Sequence, residues 1–340
     1  METYFANTFS AGGIYTAVPD LKADYHILAV KGNPGSAVTI FLQDILNDLH
    51  MHDISVETYL SCVYPETPDL LIIPSLKRII VNANNLSHLL ADKTLVQELD
   101  ISLFCHQKLL NHYSNAIDGL RKKIDYHKKQ GFHYLRKLEK KENKMGQVTR
   151  DMLLMLQSIF PLTAENKGSP RKFLASSITS SGWISKLQSM TSDFKKRYII
   201  KGSPTFLRTF FNLVDRKAHN LHMNCHLIIN SLEPNEIEGI IFTNEKLAIL
   251  RHNPHHHLIC SKNDITLSFK EDEGQLEDQS YRRNLKRGIE YFIKTHSYRE
   301  ELDEYYWYSL DLDKFLSQRQ RVIHQLLSLC GGKELWEYFS

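Results

Sequence analysis

The eight residues from Gly32 to Thr39, GNPGSAVT, have nearly the types and spacing of a phosphate-binding loop, whose pattern is G-x-x-x-x-G-K-[ST]. In a working loop, backbone N–H groups at a helix start hold the phosphates, the lysine reaches the β- and γ-phosphates, and the hydroxyl binds Mg²⁺. Gly32, Gly35 and Thr39 suit the turn and the hydroxyl, but Ala37 replaces the second glycine and Val38 replaces the lysine. The predicted chemistry is therefore weak phosphate binding by backbone amides.

A second copy of the pattern, GSPTFLRT, runs from Gly202 to Thr209. Leu207 stands in place of the glycine and Arg208 in place of the lysine, whereas Thr209 keeps the hydroxyl. Arginine carries the missing charge, but its planar and longer side chain fits a tight loop poorly. The candidate nucleotide- or phosphate-binding residues of the two loops, interpreted as vestigial, are Gly32, Gly35, Thr39, Gly202, Arg208 and Thr209. No residue is predicted to be catalytic or to bind a metal, and ATP with Mg²⁺ is the cofactor that such loops would take.

Both loops belong to a repeat that runs through most of the chain. The stretch DYHILAVKGNPGSAVTIFLQDIL, which begins at Asp24, matches KKRYIIKGSPTFLRTFFNLVD, which begins at Lys195. In each copy the predicted elements follow the order strand, turn, helix, strand, turn, strand, which is typical of a doubly wound α/β unit. The sequence therefore predicts an α/β fold with two such units in tandem.

A long helical segment ends each copy. From about 92 to 160, and again from about 280 to 330, apolar residues recur at steps of three and four, which predicts amphipathic helices. We expect each unit to carry an appended helical hairpin in these ranges. The predicted domains are 1–162 and 170–340, joined by a linker at 163–169 in the polar stretch TAENKGSPRK.

Three further stretches of this layout are distinctive: SSGWISKLQSMTSDFKKRYIIKGSP, LLIIPSLKRII and EELDEYYWYSLDLDKFLSQRQ, which begin at Ser180, Leu70 and Glu300. Together they resemble a bacterial family of tandem P-loop ATPase-like proteins. The resemblance covers nearly the whole chain, and it is weaker from Gly146 to Gly168. It implies the P-loop NTPase fold twice, with the helical hairpins as insertions or extensions, and it supplies neither a substrate nor a cellular task.

The family layout also places an acidic residue, which holds Mg²⁺, at the end of an apolar strand in each copy. Asn82 follows RIIV and Arg251 follows LAIL at these places. An amide is a weaker ligand for a hard cation than a carboxylate, and an arginine repels the metal. We therefore predict a non-catalytic pseudo-NTPase that acts by binding a protein partner or, weakly, a nucleotide. The first alternative is an active ATPase or nucleotide kinase-like enzyme that uses the second loop.

Two further clusters suggest other kinds of site. Between residues 121 and 150 there are eleven basic and three acidic residues, so the second alternative is a nucleic-acid-binding accessory protein that uses this basic hairpin. The stretch RHNPHHHLIC, at 251–260, has histidines and a cysteine that suit zinc, but three adjacent histidines cannot all reach one ion. We interpret its loop at 252–257 as a polar loop after a strand.

Composition and the N-terminal sequence restrict the class of protein and its cellular location. The net charge is only +3, and five widely spaced cysteines without a C-x-x-C pair indicate reduced thiols in a cytosolic protein. The N-terminal stretch METYFANTFSAGG lacks a basic segment followed by an apolar core, so it is not typical of a signal peptide. No apolar run approaches the ~20 residues of a membrane span. We therefore expect a cytoplasmic protein without a membrane partner.

Overall fold

The structure, a computed structural model, describes residues 3–19, 24–91, 93–138, 146–160, 168–256, 258–259, 262–269 and 279–330. Within these ranges it is an α/β protein with two six-stranded mixed sheets and two short β-hairpins. The strands are β1 Thr3–Phe5, β2 Asn7–Ser10, β3 Gly13–Thr16, β4 His26–Lys31, β5 Glu57–Leu60, β6 Pro68–Ile73, β7 Arg78–Asn82, β8 Val96–Asp100, β9 Arg171–Phe173, β10 Ser176–Thr179, β11 Gly182–Ser185, β12 Lys196–Lys201, β13 His226–Ile229, β14 Ile237–Phe242, β15 Leu247–Arg251 and β16 Asp264–Ser268. The helices are α1 Gly35–Met51, α2 Ala83–Leu86, α3 Gln107–His112, α4 Ser114–Arg136, α5 Arg150–Ile159, α6 Leu187–Thr191, α7 Pro204–Asn220, α8 Gln279–Ser309 and α9 Leu312–Cys330.

The chain divides into two compact units that do not follow the predicted boundaries. Within the described ranges, the first unit comprises 3–6, 24–128 and 293–330, and the second comprises 7–19 and 129–292. This division differs from the predicted domains 1–162 and 170–340, because the chain leaves one unit within α4 and returns to it within α8. Most of the predicted linker at 163–169 lies outside the described residues.

The sheet of the first unit has the order β1-β5-β6-β7-β4-β8. β4 is parallel to β7 and β8, and β1 is parallel to β5, whereas β6 is antiparallel to both of its neighbours. The 17 residues of α1 carry the chain from β4 to β5, but the connections on either side of β6 are too short for a parallel crossover. The unit is therefore an α/β unit with a mixed sheet, and the doubly wound, P-loop-like arrangement stays a prediction.

The sheet of the second unit repeats this order strand for strand. Its order is β9-β13-β14-β15-β12-β16, with β12 parallel to β15 and β16, β13 parallel to β9, and β14 antiparallel to both of its neighbours. The crossover helix α7 also has 17 residues. The two sheets are topological copies, which is the arrangement expected of an internal repeat.

Helices from the predicted hairpin ranges cover parts of each unit. In the first unit, Phe315 and Val322 of α9 pack with Phe41 and Leu42 of α1 over the sheet, and these side chains are buried. Each such fully buried side chain stabilises the fold by about 1.5–3 kcal/mol. The range 92–160 does not contain helices alone, because β8 lies within it and pairs with β4. The range 280–330 consists of α8 and α9, with Leu310 and Asp311 between them.

Candidate functional site

The turn after β4 is shorter than the phosphate-loop pattern predicts. β4 ends at Lys31 and α1 begins at Gly35, so only three residues separate the strand from the helix. Ala37 and Val38 lie in the first turns of α1 and are buried in the apolar cluster of the first unit. Thr39 is also buried, and its hydroxyl donates to the carbonyl oxygen of Ser36 at 2.9 Å. The position of the phosphate lysine therefore points into the core.

Gly32 is held at the edge of the turn by the side chain of Asn84. The amide nitrogen of Gly32 donates to Asn84 Oδ1 at 3.0 Å, and Asn84 Nδ2 donates to the carbonyl oxygen of Gly32 at 2.7 Å. Gly32 has a φ of 109°, and a Cβ there would lie 2.5 Å from Asp100 Oδ1 and 2.7 Å from the amide nitrogen of Ser102. Both the backbone angle and the close approach require glycine at this position.

The N-terminus of α1 is closed by a carboxylate from α8. The amide nitrogens of Gly35 and Ser36 donate to the two oxygens of Asp303, at 3.1 and 2.9 Å. The Tyr64 hydroxyl donates to Asp303 Oδ2 at 2.8 Å, and Trp307 Nε1 donates to the Ser36 hydroxyl at 2.8 Å. The first amides of a helix have no partner within the helix and carry its positive dipole end, so a carboxylate is stabilised there. Burial, and then the neighbouring carboxylate, raise the pKa of Tyr64.

A pocket of about 420 Å³ opens beside this carboxylate, and amide and charged side chains line much of it. Asn82, at the end of β7, is bonded at both atoms of its side-chain amide, because Nδ2 donates to Asp69 Oδ1 at 2.7 Å and Oδ1 accepts the amide nitrogen of Asn84. Asn85 Nδ2 also donates to Asp69, at 3.0 Å. Asp69 is completely buried near the start of β6. Sequence reasoning missed it, although an acid inside the apolar run PDLLII was a usable signal.

Two arginines stand at the same pocket. The guanidinium of Arg299 lies over the Tyr64 ring, 5.7 Å from its centroid, and no carboxylate of the described residues lies within ion-pair distance of it. Arg121 donates to the Tyr306 hydroxyl at 2.7 Å and pairs with Asp118 at 3.3 Å. Arg121 was singled out in the sequence only as part of the basic run at 121–150, and Arg299 was not a sequence candidate, because it lies on a helix that the repeat does not align with the loops.

The N-terminus of α7 in the second unit is capped locally. Gly202 and Ser203 follow β12, and the Ser203 hydroxyl accepts the amide nitrogen of Phe206 at 3.3 Å. Leu207 is buried in the core of the unit. Thr209 is buried as well, and its hydroxyl accepts the amide nitrogen of Gly146 at 2.8 Å and donates to the carbonyl oxygen of Thr205 at 2.9 Å. The hydroxyl that would bind Mg²⁺ in a working loop therefore serves backbone partners here.

Arg208 does not face an open loop, because Glu236 binds it. Arg208 Nε donates to Glu236 Oε1 at 2.6 Å, and Arg251 donates to Glu236 Oε2 at 3.0 Å. Burial acts to raise the pKa of Glu236, but the hydrogen bond with Glu233 and the two arginines outweigh it and lower that pKa below its ordinary value. Arg208 and Arg251 were both singled out in the sequence, and the structure brings them together on one carboxylate.

Within the His-rich loop, His255 and His256 lie against different partners. His255 stacks on Trp183 at 4.7 Å between ring centroids, whereas His256 is buried with Nε2 3.3 Å from Glu238 Oε2 and Nδ1 3.4 Å from the Ser185 hydroxyl. The 3.3 Å contact lacks the geometry of a hydrogen bond. His257 and Cys260 are outside the described residues. In the described part of the chain no group of three or more His, Cys, Asp or Glu side chains is placed to hold a metal.

The basic segment predicted at 121–150 is described only in part. Lys122 and Lys123 are exposed on α4, and Lys123 also lies over the Tyr298 ring, 5.0 Å from its centroid. The buried side of the same helix packs against Leu302 and Tyr306 of α8. The residues at 139–145, which carry more of the basic run, lie outside the described ranges.

Comparison of the chain with family models, with curated proteins and with solved structures finds no match. The resemblance to tandem P-loop ATPase-like proteins is therefore still a prediction from the sequence. Across the described helices, none is both long enough and apolar enough to pass through a lipid bilayer.

Proposed function

We propose that the chain is a non-catalytic relative of P-loop ATPases and that it acts by binding, either to another protein or weakly to a nucleotide. The observation that carries the proposal is the ion network of the second unit. Arg208 is the one cation at either lysine position of the two loops, and its charge is already taken by Glu236, which also binds Arg251. A triphosphate at this loop would have to compete with a buried carboxylate for that arginine.

The metal site and the positive charge that phosphoryl transfer requires also support a non-catalytic role. Transfer from a nucleotide depends on a metal ion and on positive charge that meets the phosphate oxygens in the transition state. Asn82 spends both amide atoms on Asp69 and Asn84, and Arg251 would repel a cation. The loss of one such stabilising contact alone costs about 10²–10³ in rate in other enzymes. What supports a binding role is that the strand, turn and helix of each loop are kept.

The nucleic-acid alternative is favoured by one observation. Arg121, Lys122 and Lys123 form an exposed basic turn on α4. Such a surface suits the phosphate backbone of DNA or RNA, and its binding would weaken steeply as salt increases.

Phosphate release from ATP and GTP, together with isothermal titration calorimetry with and without Mg²⁺, tests the proposal on the full chain. We expect no turnover above the blank, and the same result for Arg208→Ala. Arg216→Ala is the matched control, because Arg216 lies on the same helix but is exposed. Mg²⁺-dependent turnover that Arg208→Ala abolishes and Arg216→Ala leaves intact would establish the active enzyme instead.

A further inference from the structure

A groove of about 750 Å³ lies in the first unit, away from the turn after β4, and residues of β4, β7, β8 and α9 line it. Leu28 lines it from the sheet and Val322 from α9. Leu329, in the last turn of α9, is 51% exposed in this groove, and Leu95, just before β8, is 40% exposed. Exposed apolar side chains that share one concave surface are typical of a surface that another segment covers.

In the second unit the corresponding strand positions are filled. β12 takes the place of β4 in the repeated strand order, so Tyr198 corresponds to Leu28. Tyr198 packs in the apolar cluster of its unit, and α5 packs in the same cluster as α7, just as α9 packs with α1. Phe160, which directly follows α5, is 3% exposed and lies edge-on against Phe242. The repeat therefore indicates that apolar residues after α9 should cover the groove of the first unit.

The ten residues that follow α9 have the composition for this. They are GGKELWEYFS, at 331–340, and they lie outside the described ranges. Four of the ten are large and apolar or aromatic: Leu335, Trp336, Tyr338 and Phe339. The two glycines take readily the backbone angles with which a chain turns back after a helix. The segment begins beside Leu329, at the groove itself, and ten residues reach at most about 33–36 Å.

The charges of the groove and of the segment are complementary. Arg78 and Arg321 line the groove, and the lining acid Glu98 is paired with Lys31. The segment carries two acids and one lysine. Complementary charges contribute to the choice of partner and to its orientation more than to raw affinity.

We propose that residues 331–340 dock in this groove of the same chain, with Trp336 as the apolar anchor. Tryptophan suits that role because it buries a large apolar area and is frequent among the residues that dominate interfaces. A short tether gives an effective concentration of about 1 mM, so a separate peptide competes poorly with the attached segment. The groove is then an intramolecular docking surface, which goes beyond the proposed function, and neither depends on the other.

Acrylamide quenching of Trp336 in the full chain tests the inference. The difference between the natural chain and Trp336→Phe isolates its emission from that of Trp183 and Trp307. We expect Trp336 to be shielded in the natural chain. Leu329→Glu should expose it, because losing a half-exposed leucine and adding a charge lowers the ratio of docked to undocked chains by about tenfold or more.

Leu312→Glu is the matched control, because Leu312 lies on the same helix and is 52% exposed but does not line the groove. It should leave Trp336 shielded. If Trp336 in the natural chain is quenched as readily as free tryptophan, or if both leucine variants expose it equally, the inference is overturned.

A labelled peptide of sequence GGKELWEYFS supplies a second measurement, which does not depend on the folding of the leucine variants. If the attached segment occupies the groove about 90% of the time, the peptide binds Trp336→Ala about tenfold more tightly than the natural chain in fluorescence anisotropy. Equal binding to both chains would overturn the inference. A shielding of Trp336 that increases with protein concentration, together with a dimer in sedimentation, would assign the groove to a second copy and also overturn it.

Discussion

Glu236→Ala should destabilise the second unit far more than the loss of an ordinary surface acid. Glu236 lies between Arg208 and Arg251, and the three side chains are 9%, 10% and 16% exposed. Removal of one partner from a buried ion pair costs about 3–5 kcal/mol, because it leaves an uncompensated charge. Arg251 keeps some access to water and Arg208 keeps Glu233 at 3.9 Å, so we take the lower end, about 3 kcal/mol.

The assay is thermal and urea unfolding of the full chain. For a unit of this size about 3 kcal/mol lowers the midpoint of its thermal transition by about 6–12 °C. Asp193→Ala is the control, because Asp193 forms an exposed ion pair with Lys246 in the same unit, with side chains 63% and 40% exposed. Exposed pairs contribute about 0.2–1 kcal/mol.

Glu236→Ala should also change how the stability of the second unit depends on pH. The pKa of Glu236 is lowered below its ordinary value of 4.5, so the charged form contributes stability that is fully present above about pH 4.5. That stability is lost as the pH falls through the lowered pKa. The stability difference between the natural chain and Glu236→Ala should therefore shrink below pH 4.5. If Glu236→Ala and Asp193→Ala lower the unfolding free energy equally at neutral pH, then Arg208 and Glu236 do not form a stabilising buried ion pair, and the reasoning is refuted.

Three further predictions concern other parts of the chain. Gly32→Ala should destabilise the first unit by more than ~1 kcal/mol in the same unfolding assay, because the φ of 109° and the close approach of Ser102 exclude a Cβ. Its control is Gly119→Ala on α4, where a Cβ meets open space, and that variant should be neutral or stabilising. Burial raises the pKa of Cys225 to about 12, so its thiolate at pH 8 should be about 1,000-fold scarcer than that of an ordinary thiol. Mass spectrometry after Ellman's reagent should therefore find the half-buried Cys105 labelled before the buried Cys225. If α4 binds nucleic acid, neutralising Lys122 and Lys123 should weaken binding and flatten its salt dependence in a fluorescence anisotropy titration.

Local features of the fold could be predicted from the sequence. The apolar run, the short Gly-Pro turn and the periodic stretch after it predict β4 and α1, and the structure has a strand, turn and helix in this order. The repeat also indicates that the second copy has the same order of elements, and the two sheets do share one strand order. The antiparallel placing of β6 was predictable in principle, because the connections around it are too short for a crossover.

The partners of the site could not be predicted from the sequence, because they come from distant parts of the chain. Asp303 lies 268 residues beyond Gly35, and nothing in its local stretch, DEYYWY, marks it as the partner of helix amides. Glu236 lies in a turn, where an acid is ordinary, and its role appears only once α7 sets Arg208 beside it. The unit boundaries depend on the same kind of long-range contact, so they differ from the predicted cut near 163–169.

A crystal structure of the natural chain grown with saturating Mg²⁺ and a non-hydrolysable ATP analogue tests the central claim most directly. The account predicts that Arg208 stays on Glu236 and that no triphosphate with bound Mg²⁺ lies at either turn. A triphosphate seated at Gly32 or Gly202, with Mg²⁺ beside Thr39 or Thr209, would contradict it.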